Sequence, residues 1–318
     1  MMRNDLNYAR GLAILMIVIG HTNGIHPLVD KLIYSLHVPL FFVISGILLH
    51  HNRTAERRWD TILKRWFHRI VIPMAIWETI LSVFYVFMKD IPIPELLKNS
   101  LTLNFNLSVM WFLPCTLAAQ ALWMLFLKLC KGDPNNMVCL AVMLLSSFIA
   151  QVIGILFVKR ILVALVFIGF GYVTDRVLRF EEDRKHLQMI RLLTGVLIWI
   201  PAFLVNERAD LSAGVLGNPY LYYLHSAAGS LAIIVGCGMV KRELPLLRWI
   251  GSNSFGILVT HVFVRHAVIL VEEKLLGQFY GGWSLALLIV VIDLLVVWMI
   301  GTIAPELFGA RRKSKQVR

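Results

Sequence analysis

Apolar runs of roughly twenty residues, separated by short polar connections, repeat along the whole chain. A transmembrane helix needs about 20 such residues. The pattern therefore predicts ten spans, at roughly 8–26, 31–50, 69–88, 108–129, 136–156, 158–178, 189–205, 218–240, 248–270 and 282–304. The fifth and sixth are parted only by Val158-Lys159-Arg160, and the seventh is short and runs into Pro201. No polar gap exceeds roughly 20 residues, whereas separate domains usually need 50 or more. The reading is one membrane domain over residues 1–318, with a basic cytoplasmic tail at 305–318. The first run lacks a small-x-small cleavage pattern, so it is expected to be a first transmembrane helix and not a removed signal peptide.

Composition agrees with the pattern. Of 318 residues, 58% are hydrophobic and only 16% charged, with a mean hydropathy of +0.73. The expected class is an all-α integral membrane protein, a bundle of about ten transmembrane helices. A net charge of +12 would suit nucleic acid, but its placement argues against that partner. With the N-terminus inside, 23 of the 31 Lys and Arg fall in cytoplasmic connections, which predicts both termini on the cytoplasmic side. Lys159-Arg160, on the outer side, is the one local exception. The four cysteines, Cys115, Cys130, Cys139 and Cys237, have no paired spacing and read as small hydrophobes, with no metal site expected.

Candidate chemistry lies at depth. At about 1.5 Å per residue, His21 falls about 21 Å from the inner face, and His261 about 20 Å. His37 and His225 lie about 9 and 10 Å below the outer face, so all four share one level in the outer half. Titratable groups at such depth point to function. A neutral imidazole at His21 suits a general base, and Arg10, 11 positions earlier at the inner face, suits phosphate. Interface anchoring by Arg10 and a helix-to-helix bond from His21 account for the same residues. His37 precedes Pro39, and filling the gap left by the proline is a structural alternative for it. Arg65 and Arg69, one turn apart in KRWFHRIVIP, can grip a phosphate or simply satisfy the charge bias of an inner loop. Glu78 in the third span is suited to orienting a histidine or pairing with an arginine. Asp293 reads as structural. Trp111, in WFLP, sits where interfacial aromatics belong, and WIGSNSFGILVTH repeats the polar entry and deep histidine of the first span.

Four stretches together carry a resemblance: R-x-D-x-N-Y-A-R-G…IVIGH (Arg3–His21), IYSLHVPLFFVISG (Ile33–Gly46), RIVIP (Arg69–Pro73) with WFLP, and WIGSNSFGILVTH. The chain resembles the membrane-bound acyltransferase 3 family, in its branch of fucose 4-O-acetylase-like sugar O-acetyltransferases. The resemblance implies transfer of an acyl group, usually acetyl, from cytoplasmic acetyl-CoA to a hydroxyl of a surface or lipid-linked saccharide, in the bacterial inner membrane. With the position of Glu78 in the third span, the expected catalytic residues are His21, His37 and Glu78. Donor binding falls to Arg10, Arg65, Arg69, Ser45 and Gly46, the small pair leaving room for the pantetheine arm, and Trp111, His225 and His261 line the acceptor side. A proton-coupled transporter or flippase of a sugar-lipid, with the deep histidines and Glu78 as a relay, is the competing reading. No convincing internal repeat supports it.

Overall fold

A computed structural model of the chain describes residues 4–89, 91–101, 109–131, 134–179, 185–277 and 281–310. Arg3 of the opening motif, Arg184 and residues 311–318 of the basic tail lie outside them. Among the described residues the elements are helices: α1 (Asn4–Gly20), α2 (Pro27–His51), α3 (Trp59–Trp66), α4 (Ile72–Lys89), α5 (Ile93–Leu101), α6 (Phe112–Leu129), α7 (Asn136–Val152), α8 (Leu156–Arg179), α9 (Lys185–Val205), α10 (Pro219–Met239), α11 (Pro245–Ser252), α12 (Ser254–Leu276) and α13 (Trp283–Ile303). Eight helical stretches are long and apolar enough to cross a membrane. The helices α1 and α7, each 17 residues, are shorter than that.

Two boundaries differ from the sequence reading. The fifth and sixth runs part at Ile153–Ile155, around Gly154, so Lys159 and Arg160 lie inside α8. A charged pair does not end a helix, whereas glycine costs about 1 kcal/mol within one. The predicted span 248–270 is two helices, α11 and α12, which part at Asn253 (φ −106°, ψ 17°).

Small residues set the closest contacts. A Cβ on Gly46 would sit 2.0 Å from the Ile168 carbonyl of α8, and one on Gly171 of α8 would sit 2.0 Å from the Val43 carbonyl of α2. The helices α2 and α8 thus touch backbone to backbone at two reciprocal glycines. Gly251 does the same for α11 on α1, where a Cβ would meet the Asn7 carbonyl at 1.9 Å. One core joins α1, α2, α6, α8 and α10, and a second joins α1 to α12 and α13.

The start of the predicted tail is folded. Pro305–Phe308 forms a 3-10 turn, Trp77 Nε1 donates to the Leu307 carbonyl at 3.0 Å, and Phe308 stacks on Trp77. Gly309, at φ +71°, tucks against the Arg69 carbonyl, a conformation and an approach that only glycine tolerates.

Candidate active site

Two cavities meet inside the bundle. The inner one, so termed after the orientation expected from the charge bias, holds about 430 Å³ and is lined by Arg10, Arg65, Arg69, Ser45, Gln120 and Phe308, among others. The outer one, about 370 Å³, is lined by His21, His37, His261, Trp111, Arg160 and Arg265, among others. Ile17, Phe112 and Leu258 line both, so the cavities adjoin at these three side chains, the waist between them.

Local structure explains who reaches the inner cavity. A π-turn over Phe67–Val71 follows α3 and precedes Pro73, whose missing N–H leaves the carbonyl four residues back without its usual helical donor. Arg65 precedes this widened turn and Arg69 lies within it, and both side chains line the same cavity. Arg10, two turns below Ile17 on α1, faces them across it.

The outer cavity is built from ring nitrogens with a fixed proton. His21 Nδ1–H donates to the Ile17 carbonyl at 2.8 Å, and His37 Nδ1–H to the Ile33 carbonyl at 2.6 Å. His261 Nδ1–H donates to the Leu258 carbonyl at 2.8 Å. A carbonyl only accepts, so each neutral ring carries its proton on Nδ1 and a lone pair on Nε2. Two of these carbonyls belong to the waist residues themselves. The rings of His21 and His261 lie 5.2 Å apart. His261 is fully buried and its Nε2 has no partner among the described residues, whereas His21 is half-buried. Of the two, His21 is the one a second molecule can reach.

Not every residue expected at the site is there. Gly46 faces α8, not the cavity, because its missing side chain is spent on the helix contact. His225 lines neither cavity. Its Nε2 accepts from Asn206 Nδ2 at 3.1 Å, and Asn206 also donates to the Leu216 carbonyl and accepts from the Asn218 N–H. His225 therefore ties down the base of the 206–218 loop. Glu78 is half-buried on α4 and lines neither cavity. Asp293 accepts a 2.6 Å bond from Thr260 on α12, the neighbour of His261. Among the described residues no cluster of three or more His, Cys, Asp or Glu is arranged to hold a metal.

Among the Arg, His and Asp residues lining the outer cavity, sequence reasoning gave no site role to Arg160, Arg265, His266 and Asp210. Arg160 is fully buried, lies 4.8 Å over the Trp111 ring and donates to the Ser212 carbonyl. Its signal was present, since an arginine on the uncharged side of a charge bias needs a reason. Asp210 holds the turn of the 206–218 loop, accepting from the Ser212 N–H at 2.9 Å. That loop is pinned over the cavity by Arg208, which donates to Asp30 at 2.5 Å and covers the Tyr34 ring at 4.0 Å. The bond to Asp30 raises the Arg208 pKa above its ordinary value.

A family model described as an acyltransferase domain, of the acyltransferase 3 type, matches residues 3–302. No curated protein and no solved structure matches the chain.

Proposed function

The chain belongs to the acyltransferase 3 family, and on that premise we propose that it moves an acyl group, acetyl by preference, from cytoplasmic acyl-CoA to a saccharide hydroxyl presented from the outer side of the bacterial inner membrane. The observation that carries this reading is the shared waist. A cavity with four arginines, Arg10, Arg57, Arg65 and Arg69, and a cavity with four Nδ1-protonated histidines touch at Ile17, Phe112 and Leu258. Coenzyme A has phosphates at one end and a thioester at the other. Arginines at Arg10, Arg65 and Arg69 suit the phosphates, and Arg10 lies about 16 Å along the chain axis from His21, a gap for an extended arm to bridge. Ser45 lines that path.

In this mechanism His21 Nε2 takes the proton of the acceptor hydroxyl as its oxygen attacks the thioester carbonyl carbon. The C–S bond breaks, coenzyme A leaves as the thiolate, and the thiolate takes the proton from the His21 imidazolium. The new ester stays on the saccharide, and His21 returns to its starting tautomer. The backbone bond from Nδ1–H to Ile17 keeps the ring oriented throughout. His37 and His261 shape the wall around the reacting hydroxyl, and Trp111, whose ring Arg160 overlies, adds indole surface to the sugar side.

The test is thiol release from acetyl-CoA by the purified protein in liposomes, with saccharide acceptors on the other side. A general base contributes about 10²–10⁴-fold, so His21→Ala is expected to lose at least a hundredfold while keeping the thermal transition of the unaltered protein. Full activity in that variant would remove His21 from the mechanism. Absence of acetyl-CoA binding in the folded protein would remove the donor.

A further inference from the structure

Among the described residues, Arg265 of the outer cavity has no carboxylate at ion-pair distance. Arg265 lies on α12 one turn beyond His261, and it lines the cavity with His21 and His37. Its guanidinium donates to a neutral group, Asn23 Oδ1, at a long 3.3 Å. Its Nε is buried and without a partner, and no carboxylate lies within ion-pair distance of it among the described residues.

The other charges of this region are engaged. Arg208 sits between Asp30 at 2.5 Å and Asp210 at 3.7 Å. Asp210 also accepts from Ser212 through both its N–H and its hydroxyl. Arg160 is spread over Trp111 and bonded to Ser212. A half-buried guanidinium whose one neutral acceptor is distant is costly in an apolar bundle, and an anion brought to it offsets that cost.

We propose that Arg265 is the specificity-determining anchor for an anionic group on the acceptor, a carboxylate or a phosphate borne by the saccharide. This rests on the acyl-transfer reading of the same cavity. The guanidinium presents a planar fork of donors that matches either anion. Its place one turn, about 5.4 Å, from His261 sets the anion one helical turn outward of the reacting hydroxyl. An acidic sugar held there would present a ring hydroxyl to His21 while its charge stays toward the outer mouth. Neutral sugars of the same shape would lose that hold.

The experiment measures binding and turnover separately on the full-length protein in nanodiscs. Binding by calorimetry uses three probes: an oligoglucuronate, its carboxyl-reduced neutral counterpart, and a hexose 1-phosphate. These are compared in wild type, Arg265→Gln and Arg265→Lys, and each variant's thermal transition is recorded. The expected result is a preference of about tenfold or more for at least one anionic probe over the neutral one. That preference should collapse to near one in Arg265→Gln and return in part in Arg265→Lys. Which anionic probe carries it separates a uronate from a phosphate. Equal binding of charged and neutral probes, a preference that survives in Arg265→Gln, or no binding of either anion would each overturn the proposal. Thiol release is scored on the same samples. Charge-selective binding without His21-dependent release would keep the anchor and remove the acyl-CoA reading, while release with neutral acceptors alone would do the reverse.

Discussion

At the scale of single residues, the recurrent device is an imidazole whose Nδ1–H is tied to its own helix. Four histidines around the outer cavity do this, the fourth being His266 on Val262. Each bond is local, between positions three or four apart, so the tautomer is set by sequence spacing alone once the helix forms. What spacing does not set is which ring is reachable. His21 and His261 look alike in sequence, yet one is half-buried and the other fully buried, because the neighbours of each come from other helices. Arg160 teaches the same point in reverse. Its buried guanidinium supplies the donor for the Ser212 carbonyl, and charged hydrogen bonds contribute about 1.5–3 kcal/mol. Arg160→Met, which keeps most of the volume, is expected to speed amide hydrogen exchange across residues 206–218 by about tenfold or more, measured by mass spectrometry. Unchanged exchange there would mean that the loop is held by Arg208 and Asn206 alone.

Among elements, the glycines of α2 and α8 carry the packing. Gly46→Ala would push a methyl into the Ile168 carbonyl, a backbone atom that cannot swing aside. Overpacking of this kind costs about 1–3 kcal/mol, and the expected outcome is a clearly lowered thermal midpoint in detergent with KM for acyl-CoA unchanged. A raised KM without loss of stability would return Gly46 to the donor path. The π-turn at Phe67–Val71 makes a second case. The arginine pair is visible in sequence as an i, i+4 spacing, but the turn that aims it depends on Pro73 and on Gly309, which packs on the Arg69 carbonyl from the far end of the chain. Arg65→Gln and Arg69→Gln are each expected to raise KM for acetyl-CoA about tenfold. With acetyl-pantetheine, which lacks the nucleotide phosphates, the same variants should match wild type. Equal losses on both donors would show that the arginines do not read phosphate.

The whole molecule is arranged around a waist between two chambers, one lined by arginines and the other by histidines with Arg160 and Arg265. Phe112, packed on Phe41 and Phe42, narrows it with Ile17 and Leu258. On the proposed mechanism an acyl chain shares the outer chamber with the acceptor, which puts length selectivity at this constriction. One methylene in a fitted site is worth about 10- to 200-fold. Phe112→Ala is therefore expected to raise the butyryl-to-acetyl ratio of kcat/KM by about tenfold, read by thiol release with the two donors; an unchanged ratio would place chain selection elsewhere. The sequence by itself determined the class and most of the elements, because apolar runs, charge bias and short-range hydrogen bonds are properties of consecutive residues. It also pointed to Arg10, His21, His37, Ser45, Arg65, Arg69, Trp111 and His261, all of which line one chamber or the other. Only the tertiary structure decided that Gly46 belongs to a helix contact, that His225 holds a loop, that Glu78 lies off the cavities, and that Arg160 and Arg265 lie on them. Depth along one helix is readable from residue counts. The direction in which a side chain points depends on how each helix is rotated against its neighbours, and that rotation is fixed by contacts between residues far apart in the chain.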